Sequence, residues 1–111
     1  MRRPRIQLGL GPVELAYNFD AVLWEPPVEP AWVFATVPAE ESDEISELAG
    51  DRPGFGSVRV EVTIGATSWK TSLFPSKQAQ AYILPVKRAI REAERLDIGD
   101  VATISLVVVH E

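Results

Sequence analysis

The residues most able to do chemistry are four bases that follow one another at helical spacing. They are Lys87, Arg88, Arg91 and Arg95. On a helix over residues 85–96 they would project from one side, and such a face could follow the phosphates of a nucleic acid. However, Glu92 and Glu94 fall within pairing distance of Arg88 and Arg91, and such pairs neutralise much of the field. The spacing therefore favours a solvated, self-paired face, with nucleic-acid binding as the alternative.

A Ser/Lys pair in the segment WKTSLF could supply a nucleophile and its base. Alternate residues of a strand point to the same face, so Lys70 and Ser72 would share a side. No third residue in the sequence is placed to orient them, and a catalytic site needs a full constellation. His110, the only histidine, lies one residue from the end of the printed chain. We therefore expect a protein that is not an enzyme, with a Lys70/Ser72 site as the least favoured reading.

Large rings are the third kind of candidate. Trp24, Trp32 and Trp69 could stack on bases or sugars if exposed, or fill the core if buried. We expect two of the three to be largely buried. Trp69, Phe74 and Tyr82 are predicted to rim an open end of the fold beside the basic helix.

Composition excludes several kinds of site. The 111 residues contain no cysteine, which removes disulfides and thiolate ligands and suits a reducing cytoplasm. The acids of residues 40–47 lack the spacing of a calcium loop, and we expect neither a metal nor a cofactor. There is no apolar run long enough to span a membrane, so membrane association is not expected.

Charge is distributed unevenly along the chain. The net charge is −5, yet residues 6–51 carry ten acids without a base, and residues 52–96 carry eight bases against three acids. Such asymmetry can mark a binding face, or two regions that attract each other within one fold or between copies. The asymmetry therefore favours self-association, while the overall acidity disfavours loose attraction to phosphate backbones.

These side chains must be positioned by strands. Period-two alternation predicts strands in LAYNFDAVL, WVFATV, VRVEVTI, WKTSLF, AYIL and VATISLVVVH, with GATS as a four-residue turn. Val58, Val60, Val62 and Ile64 are expected to face inward. Tight turns rather than crossover helices separate most of the strands. This pattern predicts a mainly β fold: a small closed or partly open, largely antiparallel β-barrel of about six or seven strands with two short helices.

Two helices complete the prediction. The first is AEESDEISELA, with Ile45, Leu48 and Ala49 as its apolar stripe. The second begins with Pro85 at its first position, where a missing N–H costs nothing. Its predicted apolar stripe consists of Val86, Ala89, Ile90, Ala93 and Leu96. We expect residues 1–14 to form a leader and residues 15–111 a single domain.

Four segments in this order and spacing resemble one known family. They are FDAVLW, WVFATVP, GFGSVRVEVTIGATSWKTSLFP and YILPVKRAIREAERLDIGD. The chain is similar over residues 15–108 to an uncharacterised prokaryotic family, domain of unknown function number nineteen-hundred-and-five. The resemblance implies a small β-barrel domain and carries no established activity.

The function expected from these observations is a cytoplasmic, non-catalytic binding or interaction module. Its partner would be a protein, a small ligand or a second copy of the chain. The candidate contact residues are Trp69, Lys70, Ser72, Phe74, Tyr82, Lys87, Arg88, Arg91 and Arg95.

Overall fold

The structure, a computed structural model, describes residues 5–7, 14–27, 31–49 and 56–109. These residues form seven strands and two helices. The strands are β1 (Arg5–Gln7), β2 (Glu14–Val22), β3 (Phe34–Thr36), β4 (Val58–Ile64), β5 (Thr67–Ser76), β6 (Ala81–Pro85) and β7 (Val101–Val108). The helices are α1 (Ala39–Ala49) and α2 (Arg88–Ala93).

The strands form one curled antiparallel sheet in the order β1-β2-β7-β4-β5-β6-β3. Every strand pair among the described residues is antiparallel. The sheet curls far enough for Trp24, just beyond β2, to form an isolated bridge with Phe34 at the opposite edge. The predicted partly open, mainly β barrel with two short helices is therefore confirmed, and its closure consists of this one bridge.

Alternation along the strands builds the core. On β4, Val58, Val60, Val62 and Ile64 are buried as predicted, while Arg59 and Glu61 are exposed. The same pattern buries the predicted inner face of the last strand. That face is Ala102, Ile104, Leu106 and Val108. Since side chains alternate between faces, one run of apolar residues at every second position is enough to fill the concave side of the sheet.

The hairpin between β4 and β5 has a shorter turn than expected. Thr63 pairs with Ser68 and Ile64 with Thr67, so only Gly65 and Ala66 remain outside the ladder. Gly65 has a φ of +59°, a conformation that L-residues adopt at a cost. The prediction of a four-residue turn was wrong because two-residue hairpin turns match the twist of the strands, and glycine permits them.

Helix α1 covers one end of the barrel, but its inward face differs from the predicted stripe. Ile45 and Ala49 are buried as expected, whereas Leu48 is 56% exposed. Glu41 and Ser42 are buried in its place. The spacing i, i+4, i+8 from Glu41 therefore faces the core, and the sequence did not indicate it because these two residues are polar.

A hydrogen-bonded serine explains why Ser42 can be buried. Its hydroxyl donates to the Val37 carbonyl and accepts from the Tyr82 N–H, both at 3.0 Å. The bond to Tyr82 joins α1 to the first half of β6. A buried polar group is tolerated when its hydrogen bonds are made, and here both are made to backbone.

Helix α2 is shorter than the predicted helix over residues 85–96. Pro85 ends β6, where it pairs with Phe34, and Lys87 is still extended at φ −66° and ψ 156°. The helix ends because Arg95 takes a positive φ of 55°, while Leu96 N–H bonds to the Arg91 carbonyl at 2.8 Å. This is the bond that closes a Schellman motif, with arginine in the place usually taken by glycine.

The apolar stripe predicted for α2 is only partly correct. Val86, which precedes the helix, is buried, and Ile90 and Leu96 pack half-buried against the core. Ala89 and Ala93 are exposed. A helix of six residues makes fewer than two turns, so it cannot bury a stripe that extends along about three turns.

The two helices lie at opposite ends of the barrel. Since β3 and β6 are antiparallel, the end of β3 lies beside the start of β6, where Val37 N–H donates to the Tyr82 carbonyl at 2.9 Å. Helix α1 follows directly. At the other end of the same strand pair Val86 N–H donates to the Val33 carbonyl at 2.9 Å, and α2 follows there.

The remaining expectations concern the N-terminal segment, the single histidine and membrane-spanning helices. Part of the expected leader, Arg5–Gln7, forms β1 against β2; the division into leader 1–14 and domain 15–111 stays a prediction. His110 lies outside the described residues. Within the described ranges, no helix has the length and apolar character needed to cross a membrane.

Tyr17 links the sheet to α1. Its side chain is buried and its hydroxyl donates to Glu44 Oε1 at 3.0 Å. Burial is the main cause that raises the pKa of Tyr17 far above its ordinary value, and the hydrogen bond to Glu44 and the charges of Glu44 and Glu41 raise it further. The folded protein therefore holds the phenolic proton more tightly than the unfolded chain does.

Replacing Ser42 with alanine should lower the free energy of unfolding by about 1–3 kcal/mol, because the buried Tyr82 N–H would lose its acceptor. Denaturant unfolding measures the change. The matched control is Ser46→Ala, on the exposed side of the same helix, which should change stability by less than about 0.5 kcal/mol. Equal effects of the two variants would contradict the role given to Ser42.

The protein should lose stability as the pH rises above about 10, the pKa of a tyrosine in an unfolded chain. Because the folded-state pKa of Tyr17 is raised, its contribution is fully present below that pH and is lost above it. Denaturant unfolding between pH 8 and pH 11.5 (values about one to two units either side of that pKa) should show a steeper loss in the natural protein than in Tyr17→Phe. Parallel curves would refute this.

Candidate functional site

A groove opens beside α2 at the end of the barrel where the sheet edges meet. It has a volume of about 570 Å³. Its lining residues come from the segment before β3 and from the β6–α2 junction. They are Ala31, Trp32, Val33, Pro85, Val86, Lys87, Arg88 and Arg91. We call this site the Trp32 groove; five apolar residues form most of its surface and three bases stand at one side.

Aromatic stacking holds Trp32 at the groove. Its ring lies 6.0 Å from that of Phe34 with an interplanar angle of 8°, and Phe34 in turn lies 5.2 Å from Trp24. The far ring of this series, Trp24, donates from its indole Nε1 to Thr36 Oγ1 at 2.9 Å. Trp32 is nonetheless 53% exposed. One face of a large ring is thus supported by protein while much of its surface is open to a partner.

The cations of the groove are little neutralised. Arg88 forms an i, i+4 pair with Glu92 at 3.4 Å, as expected, but the side chains are 82% and 71% exposed. Exposed pairs of this kind are weak and screened by salt. Lys87 is exposed in an extended backbone immediately before α2. The positive charge at this side of the groove therefore remains available to an incoming anion.

Arg91 joins the Trp32 groove to a second one. Its Nε donates to the Val86 carbonyl at 3.1 Å, which anchors the guanidinium at the start of the helix. The second groove has a volume of about 320 Å³. It is lined by Arg88, Arg91, Glu92, Arg95, Leu96 and Asp97. All four predicted helix bases therefore lie along one continuous stretch of surface, with Arg88 and Arg91 shared.

Glu94 ties α2 to the β4–β5 turn. Thr67 Oγ1 donates to Glu94 Oε2 at 2.6 Å, and the carboxylate occupies the space where a side chain on Gly65 would begin. The expected pairing of Glu94 with Arg91 is thus replaced by a contact with the barrel. This tie fixes the far end of α2, and with the Arg91–Val86 bond it holds both ends of the helix.

A comparison with protein families places this fold. The model of the family described as Domain of unknown function (DUF1905) matches residues 19–106, which is most of the chain. The protein belongs to the DUF1905 family. Among curated proteins, none matches this chain at a significant level. The resemblance drawn from the sequence is confirmed as to family, and the Trp32 groove lies within the matched region.

The other predicted contacts of this DUF1905 domain are spread over the barrel. Trp69 is half-buried on the inner side of β5 and packs against the core, with its Nε1 buried and unpaired. Tyr82 is buried beside α1, and Phe74 is 42% exposed one position from the buried Leu73. These three rings do not form one rim with α2. Their part in binding stays a prediction, and none of them lines the Trp32 groove.

Lys70 and Ser72 lie on the outer face of β5, as their spacing predicted. In the ladder with β4, Lys70 stands opposite Glu61 and Ser72 opposite Arg59. Neither lines the two grooves described above. Among the described residues, no group of three His, Cys, Asp or Glu side chains is arranged to hold a metal ion.

The sequence did not indicate the importance of Trp32. Two of the three tryptophans were expected to be largely buried, and this is confirmed: Trp24 and Trp69 each expose only a minor part of their surface, whereas Trp32 is exposed. Trp32 is brought beside the basic helix by the pairing of Phe34 with Pro85 and by the hydrogen bond from Val86 N–H to the Val33 carbonyl. To predict that Trp32 lies beside the basic helix, one would have to know the register between two short strands that are far apart in the chain.

Replacing Gly65 with alanine should destabilise the protein in two ways. The positive φ costs about 1–2 kcal/mol, and the new methyl group must displace the Glu94 carboxylate. In a Glu94→Ala background only the backbone cost should remain, which a double-mutant cycle of unfolding free energies would measure. Equal losses in the two backgrounds would show that Glu94 does not press on the turn.

Proposed function

We propose that this protein is a non-catalytic binding module that docks an acidic protein segment in the Trp32 groove. The observation that carries the proposal is an exposed tryptophan on an apolar floor, with Lys87, Arg88 and Arg91 along one side. A carboxylate-bearing segment with an apolar side chain would satisfy both parts of this surface. The absence of cysteine supports the cytoplasm as the compartment.

The composition of the groove supports a protein partner. Tryptophan and arginine are the residues most often found to dominate protein–protein binding, especially where they surround an apolar centre. Val33 and Val86 are buried beneath the groove and Pro85 closes its floor. This arrangement, an apolar centre with charge at its rim, suits a side chain inserted between Trp32 and α2.

Net charge bears on which anion is favoured. The protein carries a net charge of −5, so a long polyanion would be repelled by most of the surface. A short acidic segment needs only the local field of the groove, because charges more than about 8 Å away are largely screened at physiological salt. A small ligand also fits the volume, since ligand pockets span about 300–1,000 Å³.

Binding of single-stranded nucleic acid is a second candidate. The specific observation in its favour is the stacked, exposed ring of Trp32 next to three bases, because a nucleobase could stack there while its phosphate meets Arg88. Affinity for an oligothymidylate that falls steeply with salt would support this candidate. Absent or salt-independent binding would refute it.

The non-catalytic part of the proposal rests on the surroundings of Lys70 and Ser72. Both lie on a sheet face among Glu61 and Arg59, in register positions typical of cross-strand surface pairs. Opposite charges placed across from one another stabilise the sheet and so account for Lys70 without catalysis.

A short fluorescein-labelled peptide of glutamate and leucine should bind the natural protein, with anisotropy as the readout. Trp32→Ala and Arg88→Gln should each weaken binding roughly tenfold, since these residues supply the apolar and the charged contact. Lys77→Gln is the matched control, because it removes an exposed base from the turn before β6. Binding that is weakened equally by all three variants, or no binding, would contradict the proposal.

A further inference from the structure

Charge is separated along the length of this barrel. Helix α1 carries five acids and no base, and it covers one end. Lys87, Arg88 and Arg91 line the Trp32 groove at the other end. Because α1 and α2 follow opposite ends of the antiparallel β3–β6 pair, the acidic helix and the basic groove lie at opposite ends of that pair. Among the described residues, no ion pair joins α1 to α2.

The acids of α1 divide into two sets. Glu41 is buried and Glu44 accepts the Tyr17 hydroxyl, so both are committed to the fold. Glu40, Asp43 and Glu47 are exposed at i, i+3, i+7 spacing, which forms a ridge on the outward side of the helix. Leu48, which is 56% exposed, follows Glu47 in the chain and lies about 100° round the helix from it.

The ridge and the groove match in chemistry. The ridge offers three carboxylates next to one exposed leucine, and the groove offers three cations next to an exposed tryptophan on an apolar floor. An amphipathic helix that lays such a face into a groove is a common mode of peptide recognition. Helix α1 has eleven residues and is therefore about 16 Å long, enough for the ridge to run beside the bases of α2.

We propose that α1 of one copy docks in the Trp32 groove of a second copy, so that the protein associates head to tail. This inference rests on the proposed function of the groove and names its partner. Glu40, Asp43 and Glu47 pair with the bases of the neighbouring groove, and Leu48 contacts Trp32.

A head-to-tail contact has a consequence that a symmetric one lacks. Each dimer keeps one free α1 and one free groove, so further copies add until a ring closes or a filament grows. One exposed side of an eleven-residue helix buries less surface than a stable dimer needs, which makes the contact weak and dependent on protein concentration.

The test uses two variants, each of which blocks one half of the contact. The ridge variant is Glu40→Gln with Glu47→Gln, and the groove variant is Lys87→Gln with Arg88→Gln. In sedimentation equilibrium the natural protein should grow in average mass with concentration, while each variant alone should stay monomeric. An equimolar mixture should form dimers and nothing larger. The intact ridge of the groove variant docks in the intact groove of the ridge variant, and no intact site is then left for a third copy.

The matched control is Lys77→Glu, which changes the net charge by the same amount as the groove variant but lies in an exposed turn. It should associate like the natural protein, and circular dichroism should show that all variants are folded. A natural protein that stays monomeric at its highest concentration, a ridge or groove variant that associates alone, or a mixture without dimer would each overturn the inference.

The failure of this inference can be told apart from failure of the proposed function. If the natural protein is monomeric but binds the glutamate–leucine peptide in a manner that requires Trp32 and Arg88, the groove docks acidic segments and only the second copy is excluded. If neither peptide binding nor self-association occurs, both are refuted.

Discussion

The bridge between Trp24 and Phe34 is the interaction on which the groove depends. Two backbone hydrogen bonds, at 2.9 and 2.8 Å, join Trp24, the second residue after β2, to Phe34, the first residue of β3. They are the point at which the two edges of the curled sheet meet. Without them Trp24 would not be held against Phe34, the ring on which Trp32 stacks, and this side of the groove would lose its support from β2.

A series of contacts that begins at this bridge fixes the positions of the functional side chains. Phe34 pairs with Pro85, and the Val86 N–H reaches the Val33 carbonyl, so the start of α2 is fixed to the segment that carries Trp32. Arg91 then ties the short helix to Val86, two residues before its start, and Glu94 ties it to the hairpin. A helix of six residues would not be stable alone, so these tertiary ties are what keep its bases at the groove.

The sequence predicted what depends on local pattern. The strands, the inner face of β4 and the presence of two helices follow from spacing of two and of about four, which a reader can see in the letters. Prediction from the sequence failed where tertiary contacts determine the local conformation. Pro85 suits the first turn of a helix, yet pairing with Phe34 keeps it in a strand. Arg95 gives no sign of a left-handed stop, and yet it ends α2.

The site shows the same limit. The four helix bases were recognised because they share one side of a short segment. Trp32 was not placed beside them, because its position depends on the register of a three-residue strand and on one isolated bridge. Ser42 and Glu41 were missed since polar residues at inward positions look like solvent-facing ones until their hydrogen bonds are known. Long-range pairing of short strands carries little local signal.

Amide hydrogen exchange of Trp24 and Phe34 tests the central claim most directly, since both N–H groups take part in the bridge. The account predicts that they are protected to the same degree as Val86 N–H, which lies in the adjoining pair of segments. Exchange as fast as that of the exposed turn at residues 77–80 would contradict it. The sheet edges would then be apart, and the series of rings that supports Trp32 would lose Trp24.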